Sequence, residues 1–93
     1  MNAGPDPVRI NITWQESAMM QVGKAGVSDS VIEEARRLLK RHKYIKVRIL
    51  RSALGESSKH EVVNQLCELT GATLAGVRGN TAVIYRVGGI RSK

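Results

Sequence analysis

The chain has 93 residues, 42% of them hydrophobic, and 15 Lys and Arg against 8 Asp and Glu give it a formal charge of +7. That length holds one core, because two would each be too small to stabilise themselves, and the excess of cations points to polyanions, of which RNA, DNA and acidic membrane surfaces are the usual ones. No apolar run approaches the roughly 18 residues of a spanning helix, the single cysteine excludes an intramolecular disulfide, and having no Phe and only Trp14, Tyr44 and Tyr85 as aromatics argues against a binder that works by stacking bases on an aromatic platform.

Residues 1–7, with Gly4, Pro5 and Pro7, read as a flexible tail. A single domain is expected over 8–87, followed by a basic tail at 88–93. Val8, Ile10, Ile12 and Trp14 alternate with Arg9, Asn11 and Thr13, a period of two that permits a strand. A second apolar run at 18–22 ends at Gly23 and is the better strand candidate, since a helix start follows it. That helix runs from Ser28 to near His42. Ser28 or Ser30 can cap it, and Ser30 with Glu33 fits a capping box. Val31, Ile32, Ala35, Leu38 and Leu39 form its apolar stripe, with Arg36, Arg37, Lys40 and Arg41 on the opposite side.

Residues 44–50 read as a strand with Ile45, Val47 and Ile49 on one face and Lys46 and Arg48 on the other. Gly55, Ser57 and Ser58 mark a loop and the next helix start. The second helix, 58–70, is expected to bury Val62, Val63, Leu66, Cys67 and Leu69, with Gly71 as its terminating glycine. Strands at 72–77 and 81–87 close on Arg78-Gly79-Asn80, a tight hairpin. The order strand, helix, strand, helix, strand, strand predicts an α/β domain: a mixed four-stranded sheet, with parallel crossovers and an antiparallel last pair, and helices against it.

Two features can carry function. Gly23-Lys24-Ala25-Gly26 stands before a capped helix N-terminus, where backbone N–H groups are unpaired and the dipole favours an anion. Two glycines let a polyanion backbone approach closely. A lone G-x-x-G is by itself more often a plain turn. The stretch from Arg36 to Arg51 holds eight cations and no acid; Glu33 offsets Arg36 and Arg37 within one turn, and the other six favour a polyanion surface. Cys67 lies on an apolar stripe and reads as a packed core residue. His42 and His60 have no ligand-like companion. Trp14 and Tyr85 are more often packing than stacking residues. No acid–base pair, nucleophile or nucleotide fingerprint appears, so an enzyme is not expected.

Taken in order, four segments resemble the CRM domain, the chloroplast RNA splicing and ribosome maturation domain, also called the YhbY family. They are Gly23 to Gly26 with Val27-Ser28; Leu38-Leu39-Lys40 with His42-Lys43-Tyr44-Ile45-Lys46-Val47; Leu66-x-x-Leu69-Thr70-Gly71-Ala72; and Arg78-Gly79-Asn80-Thr81 leading into Val83-Ile84-Tyr85-Arg86. The similarity covers roughly residues 17 to 87. It implies a two-layer α/β sandwich with a mixed four-stranded sheet, similar to the C-terminal domain of translation initiation factor 3, and it implies RNA as the partner. Stand-alone bacterial members associate with precursors of the large ribosomal subunit, and plant members with several copies assist group II intron splicing. The family's G-x-x-G loop maps onto residues 23–26. One departure stands out: bacterial members carry an N-terminal helix before that loop's strand, whereas residues 8–14 alternate like a strand and Pro5 and Pro7 disfavour a helix just before them. In this the chain is more similar to archaeal single-domain members, which favours ribosome assembly over splicing.

The expectation is therefore a non-catalytic protein that contacts structured RNA, ribosomal RNA or pre-ribosomal particles, through its backbone. Gly23, Lys24, Ala25 and Gly26 hold phosphates, Arg36, Arg37, Lys40 and Arg41 extend the surface along the helix, and Lys46 and Arg48 add to it on an open sheet face. Two alternatives remain: a general DNA-coating basic protein, and a subunit whose basic face docks an acidic protein. No cofactor, metal, small-molecule substrate or membrane contact is expected. The chain is compatible with a monomer. Met1 to Arg9 lack the apolar stretch of a secretory signal, and the lone thiol suits a reducing compartment, so the cytoplasm is the expected setting.

Overall fold

Seven regular elements follow one another in the computed structural model, which describes residues 5–55 and 58–86. They are α1 (Pro7–Gln15), β1 (Met20–Val22), α2 (Asp29–His42), β2 (Tyr44–Ile49), α3 (Lys59–Thr70), β3 (Thr73–Arg78) and β4 (Thr81–Tyr85), with a 3-10 turn at Arg51–Ala53. Residues 1–4 of the expected tail, Ser57, Val87 and the basic tail at 88–93 lie outside the described residues.

The sheet has the order β1-β2-β4-β3. β1 runs parallel to β2, and β4 is antiparallel to both its neighbours, so β3 points the same way as β1 and β2. This is the mixed sheet that the alternation of strands and helices predicts. Its core face presents Met20 and Val22, Ile45, Val47 and Ile49, and Ala82 and Ile84 to Ala35 and Leu39 of α2 and to Val62, Val63, Leu66 and Cys67 of α3. Each Val, Leu, Ile or Met side chain among them contributes about 1.5–3 kcal/mol by leaving water. Leu69 is the exception among the residues expected inside: it is 40% exposed, because at about 100° per residue it falls at the margin of an arc centred between Val63 and Leu66.

The helix ends follow local chemistry. Ser28 caps α2, its Oγ accepting the Val31 N–H at 3.3 Å. The alternative box at Ser30 and Glu33 does not form, since the helix has already begun at Asp29. Ser58 caps α3 in a full box: Glu61 N–H donates to Ser58 Oγ and Ser58 N–H donates to Glu61 Oε1. Gly71 ends α3 at φ 76°, where the left-handed backbone favours glycine.

The segment read as a strand at 8–14 is a helix. Asp6 caps it, its carboxylate accepting the Val8 N–H at 3.0 Å, and Pro7 occupies the first helical turn. There its missing N–H costs nothing and its fixed φ suits the helix. Proline opposes a helix interior, not a helix start. The period of two misleads because four residues two apart also form two i,i+4 pairs on opposite helix faces. One pair, Ile10 and Trp14, is half-buried, while Val8 and Ile12 are 63% and 45% exposed. The strand reading, on which the expected departure from bacterial members and likeness to archaeal ones rested, is therefore corrected.

α1 lies across the outer face of the sheet, against β2 and β4. The Tyr44 hydroxyl accepts the Asp6 N–H at 2.8 Å at its start. At its end Lys46 Nζ donates to the carbonyls of Trp14 and Glu16, both at 2.9 Å. A cation here offsets the negative end of the helix dipole and satisfies carbonyls the helix leaves unpaired.

Removing that cation isolates its role. Lys46→Met is expected to cost about 1–3 kcal/mol and to accelerate amide exchange throughout α1, with β2 and α3 still protected; unchanged protection in α1 is the contrary result. Burial also pushes the Cys67 thiol from 9.0 up to about 11, so the folded chain holds its proton more tightly than the unfolded one. Stability from this group is full below pH 9 and falls as pH rises towards about 11. Alkylation of Cys67 near neutral pH should be slow in the fold and fast in denaturant, and equal rates would contradict its packed position.

Candidate functional site

The turn at residues 23–26 is built by the strand before it and the helix after it. β1 ends with Val22, whose carbonyl accepts the Leu50 N–H at 2.9 Å, and the chain then reverses as Gly26 N–H donates to the Gly23 carbonyl at 2.8 Å. Ser28 N–H donates to the Gly26 carbonyl at 3.0 Å before Ser28 caps α2. Lys24 and Ala25 are exposed at the tip. Among the described residues, the amides of Lys24, Ala25 and Val27 have no protein acceptor, and such amides beside a helix N-terminus suit an anionic oxygen.

The two glycines differ in what the fold asks of them. Gly26 has φ +69° with open space around it, a left-handed conformation that side chains rarely adopt. Gly23 has ordinary φ, and a Cβ there would meet only Leu50 Cδ1 at 3.5 Å, an ordinary contact. The fold alone therefore explains Gly26 and leaves Gly23 free for a ligand's approach. Asp29, exposed in the first turn of α2, already answers part of the helix dipole. The attraction for an anion thus rests more on the turn amides and the Lys24 cation than on the helix.

The basic residues of α2 lead away from the turn. At 1.5 Å per residue, Arg36 to Arg41 stand about 12 to 20 Å along the axis from the cap. Arg36 is turned towards α3, where its Nη2 donates to the Leu69 carbonyl at 2.8 Å, a contact with the negative end of that helix. Arg37, Lys40 and Arg41 are exposed and fall within an arc of about 100°. Glu33 and Glu34 offset Arg37 within one turn, so Lys40 and Arg41 carry most of the free charge. They also lie in the last turn of α2, where cations favour the helix itself.

The outer sheet face separates the last two sequence-predicted residues. Lys46 is committed to the end of α1, and the face it stands on is covered rather than open. Arg48, two residues on, is exposed. It lies with the turn at the carboxyl ends of β1, β2 and β3, so Lys24 and Arg48 share one end of the molecule. That end also gathers Arg51, Lys59 and Arg78. Lys59 Nζ donates to the Gly79 carbonyl at 2.6 Å, and the Arg78 guanidinium lies 4.4 Å from the centroid of the Trp14 ring. The sequence pattern alone does not single out Arg78; its signal is the predicted hairpin, which pairs Arg78 with Thr81 and so brings it into line with Arg48. Among the described residues, no group of three His, Cys, Asp or Glu side chains is placed to hold a metal ion, and no helix is long and apolar enough to cross a membrane.

Comparisons with known proteins converge on one family. The model of the CRS1 / YhbY (CRM) domain matches residues 11–86, reaching into α1. YqeI of Bacillus subtilis, a protein named for RNA binding, is 34% identical over 68 residues, covering 73% of this chain and 69% of that protein. The solution structure of a Staphylococcus aureus protein, also described as RNA-binding, superposes with a TM-score of 0.70 at 28% identity, covering 94% of this chain and 84% of that one.

The glycines give a direct test of the turn's geometry. Gly26→Ala should lower stability by about 1–2 kcal/mol through its left-handed φ, whereas Gly23→Ala should change it by less than about 0.5 kcal/mol in denaturant melts. Equal losses at the two positions would show that Gly23 is held by the fold.

Proposed function

The chain belongs to the CRS1/YhbY (CRM) domain family, and from that premise we propose that it is a non-catalytic RNA-binding protein that grips structured RNA by its sugar-phosphate backbone. The contact begins at Gly23, Lys24, Ala25 and Gly26, where free amides and one cation meet phosphate oxygens. It continues through Arg37, Lys40 and Arg41, with Arg36 at the margin. Arg48 adds a contact at the sheet's end, and Lys46 acts by holding α1 in place. The observation that carries this reading is the turn itself: amides without acceptors beneath an exposed lysine, next to a glycine that the fold does not require.

Backbone contacts orient a protein on its ligand and carry little sequence information. Recognition by the shape of a folded RNA follows. The names of the Bacillus and Staphylococcus relatives support RNA as the ligand, and the resemblance to stand-alone bacterial members supports ribosomal RNA, in large-subunit assembly or in the maturation of other RNA. A reducing cytoplasm is the setting proposed for it, consistent with a single buried thiol. DNA coating and docking of an acidic protein are the competing readings, and both predict a different preference in competition.

Binding of a folded ribosomal RNA fragment, followed across salt concentrations, separates these readings. Lys24→Gln should weaken binding several-fold and lower the slope of log affinity against log salt by about one unit. Lys40→Gln with Arg41→Gln should lower it by about two. Gly23→Ala should weaken binding with the slope unchanged. Equal affinity for duplex DNA and folded RNA would favour DNA coating, and an unaltered slope in both charge variants would remove the proposed contact.

A further inference from the structure

Beyond the end of α1, the outer face of the sheet carries a row of polar side chains, one from each strand, of which the Thr81 hydroxyl donates to the Arg78 carbonyl at 2.9 Å. Register sets Gln21 beside Arg48, Arg48 beside Thr81, and Thr81 beside Arg78. One polar residue from each of the four strands thus stands in line, with neighbours about 5 Å apart. Both arginines are exposed, and their partners in register are uncharged. α1 stops short of this row because its last carbonyls are held at Lys46, one pleat back. A shallow groove of about 430 Å³, lined by Ser17, Ala18, Met19, Met20, Gln21 and Arg48, borders it.

Trp14 closes the other end of the row. Its Cζ2 lies 3.6 Å from where a side chain of Gly76 would begin, so the indole rests on bare backbone. The Arg78 guanidinium carbon sits over that ring, 4.4 Å from its centroid. The indole face attracts that charge, and a guanidinium plane is a surface on which a nucleobase stacks. Arg48, two strands away and so about 10 Å off, is placed for a phosphate, while Gln21 offers its amide and the Thr81 oxygen, its proton given to the Arg78 carbonyl, can accept.

We infer that Trp14, Arg78 and Arg48, with Gln21 and Thr81, form a second contact that takes an unpaired nucleotide of the bound RNA. The inference rests on RNA being the ligand. Charge selects a polyanion, and the planar platform selects a base that is not already stacked in a duplex. An acidic peptide matches the charge and offers nothing to the plane.

Trp14 is the single tryptophan of the chain, so its emission reports on this place alone. The full chain is titrated with a short single-stranded RNA of mixed sequence and with the same strand annealed to its complement. The single strand should change Trp14 emission saturably and the duplex should change it far less. Arg78→Gln with Arg48→Gln should weaken single-strand binding about tenfold and duplex binding less. Arg78→Lys, which keeps the charge and loses the plane, should weaken the single strand alone. Lys24→Gln should weaken binding and leave the emission change in place. If the single strand binds with Trp14 emission unmoved, or if both forms lose equally, the nucleotide contact is overturned while RNA binding stands. If neither RNA binds, both readings fall. An equal emission change with polyglutamate assigns the row to an acidic peptide and overturns the nucleotide contact.

Discussion

The pleat of β2 sets the rest of the molecule. Successive side chains of a strand point to opposite faces, and β2 lies between β1 and β4 with layers on both sides of it. Ile45, Val47 and Ile49 go one way, into the core beneath α2 and α3. Tyr44, Lys46 and Arg48 go the other way, and each meets a different surrounding. Tyr44 is buried under the start of α1, Lys46 caps the end of α1, and Arg48 is exposed. A shift of one residue in the register of β2 would put cations in the core and aliphatic side chains in water, so the register is held by the hydrophobic pattern itself.

The same arrangement sorts the cations by task. Lys46 and Arg36 are spent on helix carbonyls, and Lys59 on a hairpin carbonyl. Those contacts tie α1 to the sheet, α2 to α3, and α3 to the β3–β4 turn. Among the described residues, the other exposed cations fall into three groups. Lys24, Arg48, Arg51 and Arg78 stand at the carboxyl ends of the parallel strands, beside the turn; Arg37, Lys40 and Arg41 run along α2; and Arg9, Lys43 and Arg86 lie at the opposite end, around Tyr44. A formal charge of +7 is thus partly structural and partly available, and the hydrogen bonds of the ammonium and guanidinium groups tell the two apart.

The sequence reveals α2, β2, α3, β3 and β4 almost to their ends, because each has a sustained period and a chemical stop. Ser58 with Glu61 announces α3, and Gly71 ends it. α1 is hidden for a physical reason: over only four apolar positions, alternation and two i,i+4 pairs are the same pattern, and the sheet rather than the helix decides which pair is covered. Asp6 before Pro7 is the signal that favours the helix. At the candidate site, the turn is visible in Gly23 to Gly26, but not which glycine the backbone demands. Lys46 and Arg48 look equivalent in sequence, and only the position of α1 separates them. Arg78 and Trp14 meet across 64 residues of chain, a closeness that no local pattern encodes.

The central claim is that RNA meets this domain at the amides of one turn and along one face of α2. Backbone amide shifts, followed as a folded ribosomal RNA fragment is added, test it residue by residue. The account predicts the largest changes at Lys24, Ala25 and Val27, with smaller ones at Arg37, Lys40 and Arg41 and little change at Asn64, Gln65 and Glu68 on the exposed face of α3. Shifts that cluster on that face of α3 and leave the turn unmoved would contradict it.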